Sequence, residues 1–172
     1  MNITFRGCRI SIDFSFVLML SFACLSGAKD LVYLILFSSL HEAGHLSALL
    51  FMKCKPSLLK LSFYGFAIKY ESKIGSLAEA IVLLSGPAVN LLLYLILRDN
   101  VNLLLFILNI IPIYPLDGGR ILSLFFPKAA RYIGIALLVF VYVTAIYLLI
   151  FYKAFSLLLI ALYLTVYYSY PK

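Results

Sequence analysis

Leu31-Val-Tyr-Leu-Ile-Leu-Phe-Ser-Ser-Leu-His41-Glu42-Ala43-Gly44-His45-Leu-Ser-Ala-Leu-Leu-Phe-Met52 is the stretch on which the reading of this chain turns. As a helix rising about 1.5 Å per residue it is long enough to cross a hydrocarbon core of about 30 Å. Its only ionisable groups of note, His41, Glu42 and His45, fall in one five-residue string that also holds both histidines of the chain. A carboxylate at the centre of a membrane helix costs about 2.5 to 3.5 kcal/mol, so such a residue marks a functional site by default.

Helix positions four apart share a face, so His41 and His45 can hold one Zn²⁺ while Glu42 handles a metal-bound water. The competing explanation is a pair of buried, hydrogen-bonded histidines, since a five-residue pattern arises by chance in unrelated proteins. The apolar surroundings favour the functional explanation, because they make the glutamate expensive.

Composition places the rest of the chain in the same medium. Its 172 residues suit one domain, and 65% of them are hydrophobic while 12% are charged. With a mean hydropathy of +1.09 the expectation is an all-α polytopic membrane protein. Apolar segments run from about Phe14 to Leu25, Leu31 to Met52, Leu77 to Leu97, Val101 to Phe126, Tyr132 to Tyr152 and Phe155 to Tyr168, which predicts about six transmembrane helices. The first and last are short for a bilayer. No cleavable signal peptide is evident, because the first apolar stretch lacks a small-residue cleavage site.

Threading six spans puts Arg6, Arg9, Lys53, Lys55, Lys60, Lys69, Lys73, Arg120, Lys128, Arg131 and Lys172 on one side and only Lys29, Arg98 and Lys153 on the other. The positive-inside rule then makes both termini cytoplasmic, in a multi-pass protein of the cell membrane. The net charge of +7 is a topology signal. These residues flank spans and form no dense stripe, so no nucleic-acid partner is expected. Cys8, Cys24 and Cys54 are read as free thiols.

A catalytic zinc uses three protein ligands and keeps a fourth position for water, so one ligand is missing from the string. Among the seven acidic residues Asp117 and Glu79 are the candidates. Glu79 follows Ser76 by three residues at a span start, the pattern of a capping box. Asp117 lies in Asn109-Ile-Ile-Pro112-Ile-Tyr-Pro115-Leu-Asp117-Gly118-Gly119-Arg120, where prolines and glycines must break the helix. Broken backbone at membrane depth is tolerated only inside protein or beside a wet cavity. Counted from the outer span ends, His41, His45 and Asp117 lie about 15, 21 and 24 Å deep. The active site is thus expected to be reached from the cytoplasmic side. A capping aspartate paired with Arg120 is the alternative for Asp117.

The segment Leu59 to Glu71 mixes apolar, aromatic and basic residues around Gly65, which predicts a short interfacial β-hairpin or re-entrant loop. Its edge could add a strand to an unwound substrate, with Tyr64 and Phe66 in contact. Alternatively Phe63, Tyr64 and Phe66 form only an interfacial aromatic belt.

The string at 41 to 45, the pattern Asn-x-x-Pro-x-x-x-x-Asp-Gly at 109 to 118 and the intervening Ser85-Gly86-Pro87-Ala88-Val89-Asn90 together resemble the site-2 proteases, a family of intramembrane zinc metalloproteases. The likeness covers about residues 31 to 126, the expected catalytic core of a single domain over 1–172 without PDZ or CBS domains. It implies one Zn²⁺ per chain held by His41, His45 and Asp117, with Glu42 as the base. It also places Asn109, Asn90 and Gly86 beside the substrate or the oxyanion, although Asn109 serves equally as a cap for the broken helix and Gly86 to Asn90 as a helix-packing patch. The ending Pro115 to Leu122 is most similar to the sporulation branch, which implies a membrane-associated regulatory protein such as a pro-sigma factor as substrate. An inhibitory membrane partner and an oligomer are compatible with it. The competing function is a metal or proton transporter using the same His/Asp cluster, which gives no special reason for glutamate at 42.

Overall fold

The computed structural model describes residues 2–5, 8–27, 29–54, 56–62, 65–70 and 74–169. The chain divides into two units, Met1–Ile107 and Leu108–Lys172. In the first, strands β1 (Asn2–Phe5) and β2 (Cys8–Ile12) precede helices α1 (Phe14–Leu25) and α2 (Lys29–Phe51). Strands β3 (Pro56–Ser62) and β4 (Gly65–Tyr70) lead to α3 (Ser76–Leu97), and α4 (Asn100–Ile110) runs across the division. The second unit holds α5 (Asp117–Phe125), α6 (Pro127–Tyr152) and α7 (Ser156–Ser169).

Helices α2, α3 and α6 are long and apolar enough to cross a membrane, with mean hydropathies of 1.3, 2.2 and 2.7 over their best windows. Their outward side chains are apolar: Leu36, Leu50, Leu84, Ile96, Phe140 and Ile150 are all exposed. Such a surface is stable in lipid rather than in water, and the chain is a membrane protein. Among the described residues these three are the helices of full span length, which does not by itself establish the expected six. Phe14–Leu25, Asn100–Ile110 and Ser156–Val166 are apolar but shorter. The expected span from Val101 to Phe126 is divided, because α4 stops at Ile110 and α5 starts at Asp117, with Pro112 and Pro115 between them.

The hairpin expected around Gly65 is present as β3 and β4, paired antiparallel with Leu61 opposite Phe66. The sheet is larger than that expectation. Its order is β1-β2-β3-β4, and β2 pairs parallel to β3, with Arg9 opposite Leu58 and Ile12 opposite Leu61. Parallel neighbours need a crossover, here supplied by α1 and α2. The Asp13 amide extends this pairing by donating to Leu61 O at 2.8 Å, and its carboxylate meets Lys60 Nζ at 3.1 Å.

Two helix ends fix the site's surroundings. Helix α2 closes on Lys53 in the left-handed region (φ 58°), with the Cys54 amide donating to Leu49 O at 2.9 Å. Leu49, Cys54 and Val82 then form a buried cluster, against which Met52, Ile68 and Ile74 pack. At the start of α3 the expected capping box does not form. Gly75, in extended conformation, is the N-cap and Ser76 is already helical, and the Glu79 amide donates to Gly75 O at 2.9 Å. Packing of Ile74 into the cluster sets where the chain enters the helix, so the register shifts one residue from the Ser76 cap. Cys24 is exposed, Cys54 is buried and both are free thiols.

Candidate metal centre

Helix α2 makes its most extensive packing in the fold against α3. The crossing is close because both helices present glycine to it. A Cβ on Gly44 would lie 2.8 Å from Ser85 O and 3.2 Å from Gly86 Cα. Small residues let helix backbones meet in a membrane, where dispersion and polar contacts rather than the hydrophobic effect hold helices together.

Three α3 residues spaced by four, Val82, Gly86 and Asn90, share the face that meets His41 and His45. His45 Nδ1 donates to Val82 O at 2.7 Å. Ser85 Oγ donates to the same carbonyl at 2.6 Å, in the turn where Pro87 removes one bond of the helix ladder. His41 Nδ1 lies 2.9 Å from Asn90 Nδ2. With both Nδ1 atoms engaged on α3, the two Nε2 atoms face each other at 3.1 Å, and the rings cross edge to face with centroids 4.7 Å apart. Both imidazoles are buried.

Glu42 completes the group, for the ligand atoms of His41, Glu42 and His45 all lie within 4.8 Å of one another. The arrangement suits a metal on two counts. Two nitrogens on a tetrahedral Zn²⁺ at about 2.05 Å stand about 3.3 Å apart, close to the separation of the two Nε2 atoms. The space in front of them is kept open by Gly86, whose absent Cβ would come closer to His45 Nε2 than any real Cβ contact and within 2.7 Å of His41 Nε2.

Beside Glu42 opens a cavity of about 190 Å³ between α2 and the sheet, lined by Ser39, Leu46, Leu59, Leu61 and Ile68. It is almost wholly apolar, and Glu42 stands in its wall. Strand β3 contributes Leu59, Lys60 and Leu61 to the same lining.

The remaining expected site residues are distributed as follows. Gly86 and Asn90 lie directly on the imidazoles. Phe66 is on β4, and Tyr64 lies outside the described residues. In the second unit Asn109 sits half-buried on the last turn of α4 and Asp117 is the first residue of α5. Asp117 is buried, and Arg120 Nη1 stands 3.8 Å from its carboxylate, longer than a direct hydrogen bond. Gly118 and Gly119 have no room for a Cβ against the backbone of Ile110 and Ile113, so the 110–119 segment folds tightly on itself. Val82 O was not foreseeable as a partner, because a main-chain carbonyl carries no residue-type signal.

No protein-family model matches the sequence, and no curated protein matches it. A solved structure does: the site-2 protease from Methanocaldococcus jannaschii superposes with a TM-score of 0.64 over 97% of this chain and 92% of that one, at 21% identity. The fold is that of a site-2 protease. Within this fold the His41-Glu42-His45 group, reached from sequence alone, lies on α2, whose most extensive packing is against α3.

Proposed function

We propose that the protein is an intramembrane zinc metalloprotease that hydrolyses a peptide bond in or near a membrane-associated segment of a regulatory protein. The observation that carries the reading is the convergence of His41 Nε2 and His45 Nε2 on a space that Gly86 keeps open, with the Glu42 carboxylate adjoining. The shared fold supports it. His41 and His45 would hold Zn²⁺ through Nε2, and the motif resemblance supports Asp117 as the third ligand.

When bound, Zn²⁺ supplies Lewis acidity, lowering the pKa of water toward about 7 and polarising a carbonyl. Glu42 takes a proton from the attacking water and returns it to the departing amide nitrogen, the work of a general base and then a general acid. Asn109 is a donor for the developing oxyanion in this reading. A transmembrane substrate must unwind to expose its carbonyls, and the cavity along β3 suits an extended segment that leaves an apolar side chain against Leu46, Leu59 and Ile68.

The likeness of Pro115 to Leu122 to the sporulation branch supports a pro-sigma factor as substrate, and the basic-residue asymmetry supports cytoplasmic termini and access from that side. The test is Glu42→Gln in purified protein reconstituted with single-span substrates, with zinc content and cleavage measured together. Zinc is retained at one per chain while cleavage falls by about 10²- to 10⁴-fold. Wild type without zinc, or a mutant that cleaves at the wild-type rate, defeats the reading. Zinc flux across the same liposomes would replace it with transport.

A further inference from the structure

The cavity beside Glu42 is built from two faces whose spacing explains it. Ser39, Glu42, Ala43 and Leu46 recur at three, four and seven residues, so they share one side of α2, turned away from the side that carries His41 and His45 to α3. Leu59 and Leu61 alternate on β3, and Ile68 on β4 is the register partner of Leu59, which puts all three on one face of the sheet.

The polar side chains of this lining are engaged elsewhere. Ser39 Oγ donates to Ile35 O at 2.7 Å within its own helix. Lys60 falls between the two leucines, so its side chain leaves from the opposite face of the strand, and Nζ meets the Asp13 carboxylate at 3.1 Å. What remains is an apolar slot with a carboxylate in its wall. Glu42 belongs both to that wall and to the group whose ligand atoms lie within 4.8 Å of one another, so a side chain filling the slot lies beside the acid that would do the chemistry.

Volume decides which side chains fit. An apolar cavity of about 150 Å³ stays dry and holds benzene, and this one measures about 190 Å³. Leucine, methionine and phenylalanine side chains fill it, whereas an indole, with about half as many heavy atoms again as benzene, overfills it. An aspartate or glutamate would lose its water there and stand next to the Glu42 carboxylate, two costs that an apolar wall does not offset.

Resting on the reading of the protein as a protease, we propose that this cavity selects the substrate residue flanking the scissile bond, an apolar side chain between leucine and phenylalanine in size. Ala43, Leu46 and Leu59 are its specificity-determining residues. Ala43 is the smallest of the lining and is exposed, so added bulk there takes up the slot without displacing a packed neighbour. Leu59 stands across from it on the sheet, where truncation deepens the slot.

The test is cleavage, in liposomes, of a library of synthetic single-span peptides randomised over the segment at the membrane boundary, with the products sequenced by mass spectrometry. On one side of the cut, wild type enriches leucine, methionine and phenylalanine about 10- to 100-fold over alanine and tryptophan, with aspartate and glutamate excluded. Ala43→Leu moves the optimum down to alanine and valine, and Leu59→Ala extends it up to tryptophan. Wild-type products without preference on either side of the cut, the result if a lipid chain fills the slot, overturn the proposal without needing either variant. The same order of preference in all three proteins overturns it too. In both cases cleavage itself keeps the protease reading, whereas wild type that holds zinc and cleaves no member of the library overturns the two together.

Discussion

The helix pair α2–α3 and the helix pair α6–α7 are built from similar apolar material and put it to opposite uses. Both α3 and α6 exceed 20 residues and are strongly apolar. Yet α2 and α3 bury two histidines and an asparagine at their crossing, whereas α6 and α7 are joined by a hydrogen bond between Tyr142 Oη and Thr165 Oγ1 at 2.8 Å. In the first pair the glycines bring polar groups to within bonding distance of each other. In the second, the buried small residues are Gly134, Ala145 and Ala161, and bulky side chains such as Phe140 and Leu159 face outward. Apolarity is common to both pairs, and small residues facing polar ones decide which pair brings imidazoles and an amide together.

That contrast can be broken most sharply at Gly86. Gly86→Ala sets a methyl group where the two Nε2 atoms converge, and zinc affinity should fall by more than about 100-fold, beyond the loss of an outer-shell partner. Chelator competition measures it, and a variant with wild-type affinity would mean that no metal is held there. Gly44→Ala acts one step away, on the crossing itself, where the new Cβ meets Ser85 O at 2.8 Å. Overpacking of this kind costs about 1 to 3 kcal/mol, to be seen as a lower unfolding temperature in detergent. The smallest effect belongs to the other pair. Tyr142→Phe removes the bond to Thr165 and should cost about 0.6 kcal/mol, typical of polar contacts between membrane helices, with zinc content unchanged. A loss of zinc there would dissolve the contrast.

Much of this was readable from residue order. His41 and His45 four apart, with Glu42 next, needed only helix periodicity to share a face, and the medium followed from hydropathy. The break after Ile110 followed from Pro112 and Pro115, and the hairpin from the pattern around Gly65. Other features were not local. The pairing of β2 with β3 joins residues about fifty apart through two helices, and neither strand is long enough to announce it. Ser76 and Glu79 have capping-box spacing, but with Ile74 packed against the Leu49, Cys54 and Val82 cluster the N-cap falls on Gly75 and Ser76 is already helical.

By itself, then, the sequence determined the medium, the helical periodicity and the identity of the histidine-bearing face, because each depends on side-chain transfer energies and spacings within a single segment. Only the tertiary structure decided what stands opposite that face. The stripe Val82, Gly86 and Asn90 has an obvious helical spacing, but its meaning depends on which helix crosses it and how closely. Those are set by two glycines meeting across the α2–α3 crossing, and with them the orientation of both imidazoles: one held by a carbonyl that can only accept, the other by an amide that can do either.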